Sequence, residues 1–280
     1  MTNKKGNNMR RVKKRIYSGV VCEQIVYSVS DRIKNIKKSS PRVRFKTEEE
    51  RAAHRIGIAR RRFARMINET FTTKGIYSTL TFNRENEIHS YDEAKWVRKC
   101  FYRRLKYFYP DAKIVIVYGR GKNTHRFHFH AITEGIPAED LQRIWFYGKL
   151  EEWSYLREHN FYDDGKGGKI DHGKDWTALA YYLFDHWTSE QGGHYYTASR
   201  NVKIPENDDV TEVKRNYTED KPPRRPRGYI LISRKRTEFG FLYYKYVKIT
   251  KENLYYMMKQ LGDKHPEYIK MKKEFDEMIF

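Results

Sequence analysis

Two histidines and two adjacent tyrosines carry the chemistry this sequence can offer. His128 and His130 stand in Thr124-His125-Arg126-Phe127-His128-Phe129-His130-Ala131-Ile132, where Phe127, Phe129 and Ala131 alternate with His128, His130 and Ile132. A period of two predicts a strand with both imidazoles on one face. Two neutral imidazoles so placed can chelate one divalent metal, although His-x-His also describes paired surface histidines on a sheet. Further on, Leu179-Ala180-Tyr181-Tyr182-Leu183-Phe184-Asp185-His186 has helical spacing. One turn separates Tyr182 from His186 and Tyr181 from Asp185, so each tyrosine has a potential metal ligand beside it. Tyrosine attacks a phosphodiester when a metal polarises the phosphate and the strand is held in line. The product, a phosphotyrosine, conserves the bond for later rejoining. The plain alternative for Tyr182 is a buried stripe with Leu179, Leu183 and His186.

The flanking sequence predicts the elements that must position these groups. Ile114-Val115-Ile116-Val117, within 113–118, reads as a central strand buried on both faces, and Gly119 and Gly121 as the turn into the histidine strand. Ile76 to Phe82 alternates with period two and predicts another strand. Thr47 and Glu50 form a capping-box pattern that opens a helix to about Ile67, with Ile56, Ala59, Phe63 and Ile67 inward and Arg55, Arg60, Arg61, Arg62 and Arg65 outward. A helix over 91–109 carries Trp96, Cys100, Leu105 and Phe108 as its apolar spacing and stops at Pro110. A short helix over 137–147 precedes a polar, Gly-rich stretch, 148–175, in which Gly165-Lys166-Gly167-Gly168-Lys169 reads as a flexible turn. The tyrosine helix runs from Trp176 to about Trp187. A Pro-rich linker over 206–226 leads to a hairpin near 229–249 and to two final helices. The order suggests an α+β fold, with a split antiparallel sheet, the histidine strand at its centre and helices packed on one side. Three segments follow: a basic arm and helix over 1–70, a catalytic domain over 71–205, and an extension over 206–280.

Charge points to a polyanion. The chain has 57 Lys and Arg against 36 Asp and Glu, and residues 1–70 alone hold 20 basic and 6 acidic side chains. That density favours nucleic acid, and most of residues 1–46 reads as an arm that is mobile or ordered only on its partner, interrupted by an apolar patch, Val20-Val21 with Ile25-Val26, that reads as a small strand. The 23 Tyr and other rings, interleaved with basic residues, suit single strands, where rings stack on bases and cations hold phosphates. Cys22 and Cys100 form neither a disulfide framework nor a zinc ribbon. No apolar leader or membrane-length apolar run is present, which predicts a soluble protein of a bacterial cytoplasm.

Taken together, the three stretches resemble the HUH endonuclease superfamily. Tyr77-Ser78-Thr79-Leu80-Thr81-Phe82 looks like its first motif, and Gly119-Arg120-Gly121 with His125-Arg126-Phe127-His128-Phe129-His130 like its histidine–hydrophobe–histidine motif. Leu179-Ala180-Tyr181-Tyr182-Leu183-Phe184 looks like its tyrosine helix. Gly192-Gly193-His194 and Ser199-Arg200-Asn201 resemble stretches in replication-associated proteins of Gram-positive mobile elements. The likeness covers about residues 72–205 and points to rolling-circle replication initiators of plasmids and phages. It implies a ferredoxin-like core and a nickase that uses Mg²⁺ or Mn²⁺ on a single-stranded or cruciform origin. Such an enzyme forms a 5′-phosphotyrosine and frees a 3′-hydroxyl, with a host helicase and polymerase as further partners.

By position, the resemblance makes His128 and His130 metal ligands and Tyr182 the nucleophile, with Tyr181 in reserve. The usual lysine three residues after the tyrosine is Asp185 here, and the usual acid on the neighbouring strand is Tyr118. His186 is then the preferred third ligand, with Asp185 and His125 in reserve, while Arg126 and Lys122 stand in as phosphate clamps. Arg61 and Arg62 are candidate DNA contacts. Adjacent helical residues diverge by about 100°, so Tyr181 and Tyr182 imply a single-tyrosine mechanism. A second cleavage then needs another protomer or a water activated by Glu190 or Asp185. A relaxase or single-tyrosine transposase shares this chemistry, and a non-catalytic single-strand binder is the rival from another class.

Overall fold

The structure, a computed structural model, describes residues 9–36, 43, 45–121, 125–164, 167–186, 196–205, 209–237 and 239–279. It is a mixed α+β fold in two compact units, each assembled from separate stretches of chain. Residues 57–158 and 176–204 form the unit that carries the histidines and tyrosines. Residues 1–56, 159–175 and 205–280 form the other. The expected division at 70 and 205 is therefore replaced by one in which the chain ends belong together.

The histidine-bearing unit is built on five antiparallel strands: β3 (Ile76–Phe82), β4 (Lys113–Arg120), β5 (Phe127–Glu134), β6 (Gly148–Tyr155) and β9 (Thr197–Ala198). Their order is β6-β3-β5-β4-β9, so the histidine strand β5 is central. Alternation divides the side chains of the sheet between two cores. Leu80, Phe82, Ile114, Ile116, Phe129 and Ala131 pack with α2 (Tyr91–Phe108) and α3 (Ala138–Ile144). Val115, Val117 and Ile132 pack on the other face, against α1 (Glu48–Thr70) and α4 (Thr177–His186). Helices thus cover both faces rather than one. The two crossover helices α2 and α3 share a face, and α1 and α4 cover the face that bears the histidines.

Several elements differ from the sequence reading. In α2 the buried residues are Ala94, Val97, Phe101 and Leu105, whereas Trp96 and Phe108 are exposed. The other heptad-like spacing wins because Phe101 fills the space beside Trp145. In α1, Ile56 is exposed and Ala64 and Met66 join Phe63 and Ile67 inside. The polar, Gly-rich stretch, for which no strand is expected, contains β6, an edge strand beside β3 whose residues are largely exposed. The helix end expected at Trp187 lies outside the described residues.

The second unit centres on a sheet ordered β10-β1-β2-β12-β11, with β1 (Met9–Ser18), β2 (Val21–Ser30), β10 (Asp209–Glu212), β11 (Tyr229–Arg236) and β12 (Leu242–Lys248). The expected mobile arm is thus, over 9–30, a hairpin, and β2 pairs directly with β12. Basic side chains on β1 coexist with inward Val12 and Ile16, which the net charge obscures. A two-stranded ribbon, β7 (Phe161–Asp163) with β8 (Lys169–Asp171), belongs here, as do α5 (Lys251–Leu261) and α6 (Pro266–Ile279). Within the expected linker, β10 joins the sheet edge and Arg225 makes a two-pronged ion pair with Glu274 of α6. Among the described residues, no helix is long and apolar enough to cross a membrane.

Candidate active site

Cross-strand register sets the geometry. On β5, His128 and His130 lie opposite Thr81 and Thr79 of β3 on one side and Gly119 and Val117 of β4 on the other. Paired residues of an antiparallel sheet share a face, so Tyr77 and Thr79 flank the imidazoles. Gly119 belongs to the strand rather than the turn. A Cβ there would lie 2.9 Å from the carbonyl oxygen of His186 and 3.1 Å from His128 Nε2. The missing side chain lets the end of α4 settle onto the sheet beside the histidines. The turn itself closes through Gly121 and His125, which donates its N–H to the Gly121 carbonyl. His125 is exposed and adopts a left-handed φ of 54°, a conformation costly for a residue with a Cβ, and so caps the turn.

Helix α4 is anchored by Ala180, Leu183 and Phe184 in the core and by Asn68 at its start. The buried Asn68 accepts the N–H of Trp176 at 2.9 Å and donates to Thr177 Oγ1 at 3.2 Å. This seating leaves Tyr182 47% exposed, so it is not part of a buried stripe. Its ring centroid lies 5.7 Å from His130 and 4.1 Å from His186. Tyr181 points elsewhere: its ring lies under the Arg60 guanidinium, 4.1 Å away, and Arg60 also pairs with Asp185. Asp185 is thereby engaged by α1, and the alternative pair of Tyr181 with Asp185 does not meet the histidines.

The histidine nitrogens are individually held. His128 Nε2 and His130 Nε2 are 3.1 Å apart. Two nitrogens bound to one metal at about 2.1 Å, with a ligand angle of roughly 90–110°, stand about 3.0–3.4 Å apart, so the donor pair fits a divalent cation. The other nitrogen of His130 is occupied, as in many metal-binding imidazoles. His130 Nδ1 faces Tyr77 Oη at 3.1 Å and Thr79 Oγ1 at 3.3 Å. Burial, with His128 and His186 nearby, pushes His130 down to about 3. Burial also lowers His128, so both rings are neutral at neutral pH. Burial raises the Tyr77 hydroxyl to about 12, keeping it protonated.

His186 joins the cluster, with its ring centroid 5.2 Å from His130 and 6.4 Å from His128. Its Nδ1 donates to the Tyr182 carbonyl at 2.7 Å, which leaves the lone pair on Nε2. The three imidazoles do not form a closed ligand set, however. Among the described residues, the set of three whose ligand atoms all lie within 4.8 Å of one another is His159, Asp171 and Glu252 in the other unit. There the buried Asp171 already accepts from His159, Asn160, Gly173 and Thr250, so the cluster holds together as a hydrogen-bonded hub.

Tyr118 faces the opposite core, stacked with Arg98, so β4 presents no side chain for an acid at that position. Carboxylates stand instead on β6, within the stretch that reads as polar and Gly-rich. Glu152 pairs across from Thr79, and Glu151 is the extra residue of a bulge beside it. Glu151 acts electrostatically on His128 and Glu152 on Tyr77. Arg126 donates to Glu87 and to the Phe82 carbonyl, Arg61 is half-buried and Arg62 exposed on α1. Lys122, Glu190 and Gly192-Gly193-His194 lie outside the described residues. Of Ser199-Arg200-Asn201, Ser199 and Asn201 tie the chain to the start of β4 through the Ile114 N–H and the Asp111 carbonyl. They therefore act as structural anchors. The chain matches no family model, no curated protein and no solved structure.

Proposed function

We propose that the chain is a metal-dependent, single-tyrosine endonuclease of the HUH type that nicks single-stranded origin DNA to start rolling-circle replication. One observation carries this reading: the exposed Tyr182 stands against the neutral, paired imidazoles of His128 and His130, on the central strand of the sheet. The β–α–β–β–α–β order of β3, α2, β4, β5, α3 and β6 supports a ferredoxin-like assignment for this unit. A passive single-strand binder has no use for such a constellation.

Nε2 of His128 and His130 would hold a Mg²⁺ or Mn²⁺ ion, whose charge would polarise the scissile phosphate. Tyr182 is the nucleophile: its hydroxyl gives up its proton as its oxygen bonds to phosphorus, the P–O3′ bond breaks, and the departing 3′-oxygen takes up a proton in exchange, so none is gained or lost overall. The 5′-phosphate remains on the tyrosine, and the free 3′-hydroxyl is left to prime synthesis. His186 braces the tyrosine ring and offers its Nε2 lone pair to the same space. Tyr181, held under Arg60, positions the helix instead of reacting.

The test is incubation with an origin-like single-stranded oligonucleotide and Mn²⁺, followed by a denaturing gel. A protein–DNA adduct that persists in Tyr181→Phe and vanishes in Tyr182→Phe is expected. Adduct formation by Tyr182→Phe would overturn the assignment of the nucleophile.

A further inference from the structure

The cations of helix α2 fall into two groups. Those nearer the core are engaged: Arg98 lies over the Tyr118 ring at 4.9 Å, Arg104 donates to the Tyr147 hydroxyl at 3.0 Å, and Lys106 donates to the Ala112 carbonyl at 3.1 Å. Lys95, Lys99 and Arg103 are different. They stand four residues apart and so follow one another along one face, about 6 Å per step. All three are exposed, and none meets a carboxylate or a hydrogen-bond acceptor among the described residues. The acids of the helix, Asp92 and Glu93, are confined to its first turn, where Glu93 accepts the His89 N–H. The cationic face also carries Trp96, 62% exposed, and Tyr107, 81% exposed. Trp96 lies one turn before Lys99 and Tyr107 one turn after Arg103, so a ring stands near each end of the row. Neither ring holds the helix in place, since α2 packs through Ala94, Val97, Phe101 and Leu105.

We propose that the outward face of α2 is a second binding surface, for single-stranded nucleic acid, in which Lys95, Lys99 and Arg103 hold phosphates while Trp96 and Tyr107 stack on bases. Charge favours a polyanion here, because the row is unpaired and the chain carries a net +21. The rings favour a single strand, whose bases are free to stack, over a duplex, whose base faces are buried within its own stack. Position makes the surface distinct from the candidate active site. α2 packs on the sheet face that presents Leu80, Ile114 and Phe129, whereas the histidines and α4 belong to the other face. The sheet and a helix about 10–12 Å across therefore lie between the cation row and Tyr182. The surface needs neither a metal nor the tyrosine, so it stands apart from the nuclease reading.

The experiment measures binding of the full-length chain to fluorescein-labelled oligothymidylate by anisotropy, in EDTA, across a salt series. Each phosphate neutralised on a single strand contributes about −0.7 to the slope of log K against log salt, so the triple variant Lys95→Gln, Lys99→Gln, Arg103→Gln should flatten that slope by about 2. Trp96→Ala should weaken binding about 10-fold through loss of one ring–base stack. These side chains are exposed, so urea unfolding of the variants should match wild type. An unchanged slope and affinity in the triple variant would overturn the proposal and leave the face to an acidic protein. A flatter slope, with affinity untouched by Trp96→Ala and Tyr107→Ala, would overturn the single-strand assignment in favour of duplex. Wild type that binds through α2 yet forms no adduct with Mn²⁺ would sink the nuclease reading and leave this surface standing.

Discussion

At the scale of single residues, the site depends on two imidazoles kept neutral by burial. His130 is depressed to about 3 in the folded chain, against about 6.5 when unfolded. Between those values the unfolded chain binds the extra proton, so stability is full above about pH 6.5 and is lost as pH falls towards 3. The slope from this one group approaches about 1.4 kcal/mol per pH unit. Urea unfolding of metal-free protein at pH 6.5 and 4.5 should therefore show a steeper acid loss in wild type than in His130→Gln, which cannot take up that proton. Identical losses would mean that His130 is not held neutral by the fold. His128 and His130 were legible from alternation alone, and Tyr182 from its place one turn before His186. Tyr77 and Thr79 were not. Their role follows from the register that sets Thr79 against His130, and register between strands some fifty residues apart leaves no local trace.

At the scale of elements, the site is where a strand and a helix end are brought unusually close, and Gly119 permits it. In Gly119→Ala the new Cβ would press on the His186 carbonyl, a backbone atom that cannot swing aside, and on His128 Nε2. The backbone at Gly119 is not in the left-handed region, so the cost is steric. Overpacking of this kind costs about 1–3 kcal/mol. Reduced stability by urea titration should accompany weaker Mn²⁺ binding, because relief requires α4 or His128 to shift. Stability lost with Mn²⁺ affinity unchanged would show that the helix end moves independently of the histidines. The main elements of this unit were readable because their periods are strong: β4 is continuously apolar, β5 alternates, and α4 follows a charged loop. β6 was missed because Lys149, Glu151, Glu152 and Ser154 on an exposed edge resemble a loop in composition. That omission hid the register that sets Glu152 across from Thr79, the residue opposite His130.

At the scale of the whole molecule, net charge misled where it was densest. Most of residues 1–46 read as an arm seeking a polyanion, with a small strand at most around Val20-Val21 and Ile25-Val26, yet β1 and β2 lie within the five-stranded sheet of the second unit, and β2 sits between β1 and β12. Val12, Ile16, Val21, Cys22, Val26, Tyr27 and Val29 are buried there. Full burial of such a side chain contributes about 1.5–3 kcal/mol, so the hairpin as a whole is comparable to the roughly 5–15 kcal/mol net stability of a domain. Its removal also strips β12 of a neighbour and uncovers Tyr244, Tyr246 and Val247. Deleting residues 1–30 should therefore unfold the unit made from the chain ends, not merely lower affinity for DNA. The histidine-bearing unit draws its core from 57–158 and 176–204, so its own contacts survive the deletion. Limited proteolysis should then release fragments throughout 205–280 while 57–158 resists, and hydrogen exchange should report lost protection in β11 and β12 but not in β4 and β5. An arm that ordered only on nucleic acid predicts the opposite: unchanged protection everywhere, with weaker binding as the sole effect. Protected β12 in the deleted chain would accordingly return the N-terminal strands to the status of an appendage.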